Sequence, residues 1–416
     1  MLAMLAFTAC SSNNDEAVNT PQFWHVTLTA SMGDETTRAL SEGEGNIITA
    51  SFAAGDKVKV LKSDGTELCE LTAQSSGAST TLVGTISGSI AVNDVLTFRY
   101  RSATANYNNQ VGTLDGIATN QDYAEGTLTV STTSPELTFT SNHVTLRAKQ
   151  SITKFSFTDG TNPVSVKNFR IIANGLVQSI ATNGAETVGT ITGTLTDASA
   201  NVYVALRNNT DAKQTYTFIV KDDAGNWHVG TKNAKLTNGN NYTATVALNS
   251  TLTSGSDEGT IGIVGGLPAI VVDLGGTIGK KAVALMNAGA TWPEDYGTYY
   301  TFENRASGLI GSWYVPSKAE LDALATKTKE WDTLNSVNGC TFTIGSNTLF
   351  LPAAGYYNNG FISVSSEGYY WSSTSYDEDE SYALLIDGYP TFIIQSVGWY
   401  KVDGLTVRPF HALPTP

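Results

Sequence analysis

Charge is scarce in this sequence. Only 15% of its 416 residues are Asp, Glu, Lys or Arg, and the basic ones are fewer, 24 against 38 acids, for a net charge of −14. Lys and Arg nowhere cluster, which argues against a nucleic-acid partner, because phosphate backbones are bound by grouped cations. Cysteine is nearly absent. Cys10, Cys69 and Cys340 show neither CxxC nor metal-ligand spacing. Cys69 and Cys340 read as small buried hydrophobes rather than a disulfide pair. The four histidines, His25, His143, His228 and His411, stand at neither HxxxH nor HExxH spacing. GxSxG, a Walker loop and a GxGxxG after a strand are all missing, and the adjacent acids Glu294 and Asp295 do not by spacing form a glycosidase pair. An enzyme is therefore not expected. From residue 10 on, no run of 18 apolar residues occurs that would span a membrane as a helix.

What is abundant is Thr, Ser, Gly, Asn, Val and Tyr. β-Branched and aromatic residues favour strands, and Gly, Asn, Asp and Ser favour the turns between them. The length implies two to four domains. Residues 23 to 30 alternate apolar and polar as a strand does, a polar Gly-rich stretch follows, and short alternating runs then recur at 57–61, 66–73, 79–84 and 95–100. Many short strands with frequent turn signals predict a sandwich or barrel. A second such set runs from about 146 to 248. Residues 249–259 are almost free of apolar side chains and read as a linker. Beyond 259 the composition shifts, with five of seven Trp and twelve of eighteen Tyr. There the spacing predicts helices over 281–290 and 317–329, the latter starting at Ser317 with Glu320 three residues on, a capping-box signature. The resulting division is 1–22 signal and tether, 23–160 first β domain, 161–250 second β domain, 251–259 linker and 260–416 an α+β head.

The first nine residues are mostly apolar and end Phe7-Thr8-Ala9 before Cys10. This resembles a bacterial lipoprotein signal, which implies cleavage before Cys10 and acylation of its sulfur. No Lys or Arg precedes the apolar run, so the start of the signal stays open. Acyl chains bury about 0.8 kcal/mol per methylene, so two anchor firmly.

Several segments of the first 250 residues, in order, resemble the fimbrillin family of Bacteroidales pilins. They are Thr37-Arg38-Ala39, the run Phe52-Ala53-Ala54-Gly55-Asp56-Lys57-Val58, Tyr107-Asn108-Asn109-Gln110, Val202-Tyr203-Val204-Ala205-Leu206 and Leu236-Thr237-Asn238-Gly239. The resemblance implies two tandem transthyretin-like β-sandwiches. It also implies a lipidated outer-membrane precursor, a cut after Arg38 (before Ala39), loss of the strand at 23–30, and capture of a strand from another subunit by β-augmentation.

The last 150 residues carry Trp313-Tyr314-Val315-Pro316-Ser317, Leu349-Phe350-Leu351-Pro352-Ala353-Ala354-Gly355-Tyr356, Gly368-Tyr369-Tyr370-Trp371-Ser372-Ser373-Thr374 and Val407-Arg408-Pro409-Phe410. This series resembles a C-type-lectin-like domain. A pilin body capped by such a head has the layout of a fimbrial tip adhesin at the cell surface. Its partners would be other fimbrillin subunits, through strand complementation, and a glycan or protein ligand. Aromatic rings suit sugar faces and protein hot spots. The residues in polar loops, Trp292, Tyr296, Tyr299, Tyr376 and Tyr389, are the ligand-binding candidates. No cofactor is expected. If calcium binds, Asp377 and Asp379 in the acidic run 377–380 are the candidate ligands, although the Glu-Pro-Asn and Trp-Asn-Asp motifs of calcium-dependent lectins are absent. The alternative is a monomeric surface lipoprotein that binds glycans without polymerising.

Overall fold

Alternation in the sequence becomes a ten-residue strand, Phe23–Met32, in which Trp24, Val26, Leu28 and Ala30 are buried and the residues between them are exposed. Successive side chains of a strand point to opposite faces, so one face of this strand enters a core. The computed structural model describes residues 23–33, 51–388 and 392–415, and the backbone of 41–42 and 48–49. Cys10, Arg38, Ala39 and Tyr389 lie outside the described residues.

The protein is mainly β. In the N-terminal part the first strand pairs antiparallel with Ser79–Ser87, from Phe23 opposite Ser87 to Ser31 opposite Ser79. Its other edge pairs parallel with His143–Ala148, from Thr29 opposite His143 to Met32 opposite Leu146. From Ser79–Ser87 the pairing continues through Glu67–Ala73, Lys57–Leu61, Val95–Tyr100 and Ala124–Thr132, and returns to His143–Ala148. Seven strands thus pair in a closed ring around a core that includes Val58, Leu71, Leu82, Phe98 and Leu146. Val95–Tyr100 closes it, because it pairs on both edges.

The second part is two sheets face to face. One is ordered Glu186–Val188, Leu176–Ile180, Asn201–Asn208, Ser151–Thr158, Asn241–Ala247. The other is ordered Ile191–Ser199, Val166–Ile172, Gln214–Asp222, Trp227–Ala234. Their inner faces meet at Phe155, Phe157 and Phe218, with the rings of Phe155 and Phe218 4.8 Å apart edge to face. Ser151–Thr158 precedes residue 160 in sequence, yet it packs here. So do Ala105, Tyr107, Ile117 and Tyr123, which leave the N-terminal ring after Val95–Tyr100 and return to it at Ala124–Thr132. Within this excursion Leu114–Asn120 forms a short helix, capped by Thr113.

The C-terminal part opens on Ile261–Val264, Leu267–Asp273 and Lys280–Ala284, and the late strand Phe410–Ala412 joins the same sheet. Residues 281–284, expected in a helix, are therefore a strand. Their run of Ala and Val suits either state, and burial between two neighbouring strands decides for the sheet. The second expected helix forms as Lys318–Ala325. The Ser317 hydroxyl accepts from the Glu320 N–H and the Glu320 carboxylate accepts from the Ser317 N–H, so both halves of the capping box are made. Two three-stranded sheets follow, Lys329–Leu334 to Asn347–Pro352 and Glu367–Ser375 to Ile393–Tyr400. The fully buried Arg408 ties the head together by donating to the carbonyls of Ala284 and Phe350 at 3.0 and 2.9 Å. Burial pushes its guanidinium down to about 10.

Residues 249–259 do not hang free. Leu252 is buried with Val264, Val271 and Trp313, and Lys327 pairs with Glu258 at 2.7 Å. Cys69 and Cys340 are free thiols, and burial pushes both up to about 12.

Candidate functional site

Two regions stand out, the groove filled by the first strand and the aromatic surface of the head. In the groove, the Trp24 indole N–H donates to the Thr133 carbonyl at 3.0 Å. The Ser79 hydroxyl donates to the Ala30 carbonyl at 3.0 Å, and Ser31 shares a 2.8 Å hydrogen bond with His143. The buried side chains run from large at Trp24 to small at Ala30. Taking this strand out would leave the edges of Ser79–Ser87 and His143–Ala148 unpaired and uncover one apolar face.

On the head, the sequence candidates separate. Tyr299 is half-buried. Its hydroxyl donates to the Ala354 carbonyl, its ring lies 5.2 Å from Phe361, and burial pushes its phenol up to about 12. Phe361 in turn lies 5.3 Å from Tyr357, on the paired two-residue strands Tyr356–Tyr357 and Phe361–Ile362. Phe361 is 66% exposed and Tyr357 45%. Gly404 runs between Tyr299 and Tyr357, close enough that an added Cβ would stand 3.2 Å from each of their Cβ atoms. Behind this hairpin, Tyr356 packs edge to face on Tyr369 and Trp399. Tyr357 and Phe361 escaped the sequence reading, although Asn358-Asn359-Gly360 between them is a turn signal that exposes its flanks. Tyr296 stands beside the hairpin's return, sharing a 3.0 Å hydrogen bond with Ser365.

Trp292 has a different setting. It is half-buried, with its ring 5.4 Å from Trp227 of the second part and the Arg170 guanidinium 5.2 Å from its centroid. Arg170 is itself fully buried and pairs with Glu294. The amide of Asn335 donates to Glu294 at 2.7 Å and accepts from Asn108 and Gln178 at 2.8 and 2.7 Å. Ile219 and Val229 of the second part share a core with Ile261, Ile270 and Val272 of the head. Trp292 thus belongs to the seat on which the head rests.

No protein-family model matches the chain, and no curated protein matches it. Solved structures align over about half of it. A proposed cell adhesion protein from Bacteroides uniformis ATCC 8492 aligns at 16% identity over 54% of this chain and 93% of its own, with a TM-score of 0.31. The tip fimbrial protein Mfa3 from Porphyromonas gingivalis, with C-terminal truncation, aligns at 11% identity over 50% and 81%, with a TM-score of 0.26. Proposed polysaccharide-binding proteins from Bacteroides thetaiotaomicron VPI-5482 align at 11% identity over 48% and 76%, with a TM-score of 0.27. TM-scores of this size do not establish a common fold.

Tyr376 is 55% exposed and leans on Tyr382 at the end of Glu367–Ser375. The acidic run that follows closes a turn on itself. The Asp377 carboxylate accepts from the backbone N–H of Asp379 and Glu380 at 2.9 and 2.7 Å, and Lys401 donates to the carbonyls of Asp377 and Glu378 at 2.6 and 2.8 Å. One Asp377 oxygen is thus engaged by the turn, and the Lys401 ammonium is bound to the turn's backbone carbonyls. Among the described residues no group of three or more His, Cys, Asp or Glu is placed to hold a metal ion.

Proposed function

We propose that this chain is a surface adhesin of a fimbrium, built from two β domains that accept a strand and a C-type-lectin-like head that holds the ligand. The observation that carries this reading is the position of Phe23–Met32. One N-terminal strand is inserted between two others of the first ring and buries four apolar side chains. It is followed within ten residues by Arg38, in a stretch rich in Gly, Ser and acids. A protein that must trade one strand for another needs that strand joined by a cleavable segment. The incoming strand would satisfy the same backbone groups and fill the same apolar row. Acylation at Cys10 would hold the precursor at the outer membrane until the cut after Arg38. The tandem β domains are proposed to be transthyretin-like pilin domains, and the reading involves no catalysis. The finished ring also suits the alternative of a monomeric glycan-binding lipoprotein, since it is complete with its own strand.

An Arg-specific protease separates the two. We expect a single cut after Arg38, detected by mass spectrometry, with release of the segment before it. The trimmed protein should then capture a synthetic peptide that repeats residues 23–32. Resistance at Arg38, or a trimmed protein that takes up no strand, would overturn assembly by strand exchange and leave the monomer. For the head, replacing Tyr357 and Phe361 together by Ser is expected to abolish retention on a glycan and protein array with little change in melting temperature, because both rings are largely exposed. Unchanged retention would remove the hairpin from the ligand site.

A further inference from the structure

The seat of Phe23–Met32 narrows from one end to the other. Trp24, Val26, Leu28 and Ala30 all enter the core of the first ring. At the wide end Trp24 lies opposite Ile86, and its indole N–H donates to the Thr133 carbonyl at 3.0 Å. At the narrow end Ala30 is fully buried. It stands between Thr80 on one neighbouring strand and Val144 on the other, and both of these are buried too. We propose that this gradient selects the strand that replaces Phe23–Met32. The partner is an extended segment of another subunit that carries a tryptophan and, six residues on, an alanine or glycine, with branched apolar residues at the two alternate positions between. The proposal rests on the reading that the first strand is exchanged, and it states which strand is taken and in what register.

Backbone pairing alone sets no register, because each residue of a strand offers the same donor and acceptor. Side chains must set it. A slip of one residue turns the whole apolar row to solvent. A slip of two keeps the row inward, so only side-chain size opposes it. Moved two residues towards the narrow end, the strand puts its leucine where Ala30 stands. Protein interiors are close-packed, so the leucine must push Thr80 or Val144 aside. Moved the other way, the strand puts its valine in the place of Trp24. That leaves a cavity and takes the donor from the Thr133 carbonyl. A strand of opposite direction brings its tryptophan to the narrow end and fails by overpacking. His25, Thr27 and Thr29 point outward and are exposed, so the residues between the four inward ones are free to vary.

The test follows the anisotropy of a labelled peptide repeating residues 23–32, bound to the trimmed protein and displaced by unlabelled variants. Ala30→Leu should weaken the peptide by about tenfold or more, and Trp24→Ala by about a hundredfold. A peptide combining Trp24→Ala with Ala30→Trp keeps the composition and the alternation but reverses the gradient, and it should not compete. Thr27→Leu should compete within about twofold of the parent. In the full chain, where no exchange is needed, Ala30→Leu should lower the melting temperature of the first part by about 4 °C or more. Thr27→Leu should leave it nearly unchanged. If the parent peptide is captured and the Ala30→Leu or the reversed peptide competes as well as the parent, selection by size is overturned and strand exchange stands. A full chain with Ala30→Leu that melts like the parent overturns the narrow end itself. Capture of no peptide overturns strand exchange and this proposal together.

Discussion

Leu28→Asp is expected to unfold the N-terminal ring. Leu28 is 3% exposed and faces the ring's core opposite Leu82. Truncating such a side chain to Ala costs about 2–5 kcal/mol. An isolated carboxylate in the same place costs more, and domains are stable by only about 5–15 kcal/mol. Calorimetry should show the transition of the first part lost or far below that of the parent, with the head still melting cooperatively. Thr27→Asp, one residue away on the exposed face, should change stability by no more than about 0.5 kcal/mol. The contrast between adjacent positions tests the register. If Leu28→Asp melts like the parent, the strand is not seated as described. A peptide repeating residues 23–32, added to the variant, should restore the lost transition if the groove accepts a strand from outside.

The second large effect is expected at the seat of the head. Arg170 is fully buried and its charge is answered by Glu294, while Trp292 covers the guanidinium. Removing one member of a buried ion pair costs about 3–5 kcal/mol, because the other charge stays behind without its partner. Arg170→Ala should therefore split one melting transition of second part and head into two, and expose residues 249–259 to protease. Arg170→Met combined with Glu294→Gln should recover much of the loss, since neutral partners leave no charge stranded. An unsplit transition in Arg170→Ala would mean that the apolar contacts of Ile219 and Val229 hold the head alone.

Local signals in the sequence were reliable where one rule governed the outcome. Alternation at 23–30 marked the first strand because only one of its faces is buried. Ser317 and Glu320 marked the start of Lys318–Ala325 because a capping box is made within one turn. The 281–290 stretch misled because Ala, Leu and Met suit a helix, and only its neighbours in space make 280–284 a strand. Nothing local announces that 105–123 leaves one core for another, or that the first strand runs parallel to His143–Ala148. Trp292 illustrates the same limit for the site. A polar loop made it read as exposed, and contact with Arg170 and Trp227 is visible only when the two parts are assembled. For Tyr357 and Phe361 the signal was present in the Asn-Asn-Gly turn and went unweighted.

The parallel pairing of the first strand has a kinetic side. Ser31 and its partner His143 are separated by 112 residues. At roughly 5–20 residues per second, synthesis takes about 6–22 s to cover that distance. Until residue 87 is made Phe23–Met32 has neither flanking strand, and from then until residues 143–148 follow it has only Ser79–Ser87. The nascent ring is open on one side, and any other extended segment nearby competes for the vacancy. Chaperoning of this one strand, or delay in delivering residues 143–148, would then decide whether a molecule is born closed on itself or joined to a neighbour.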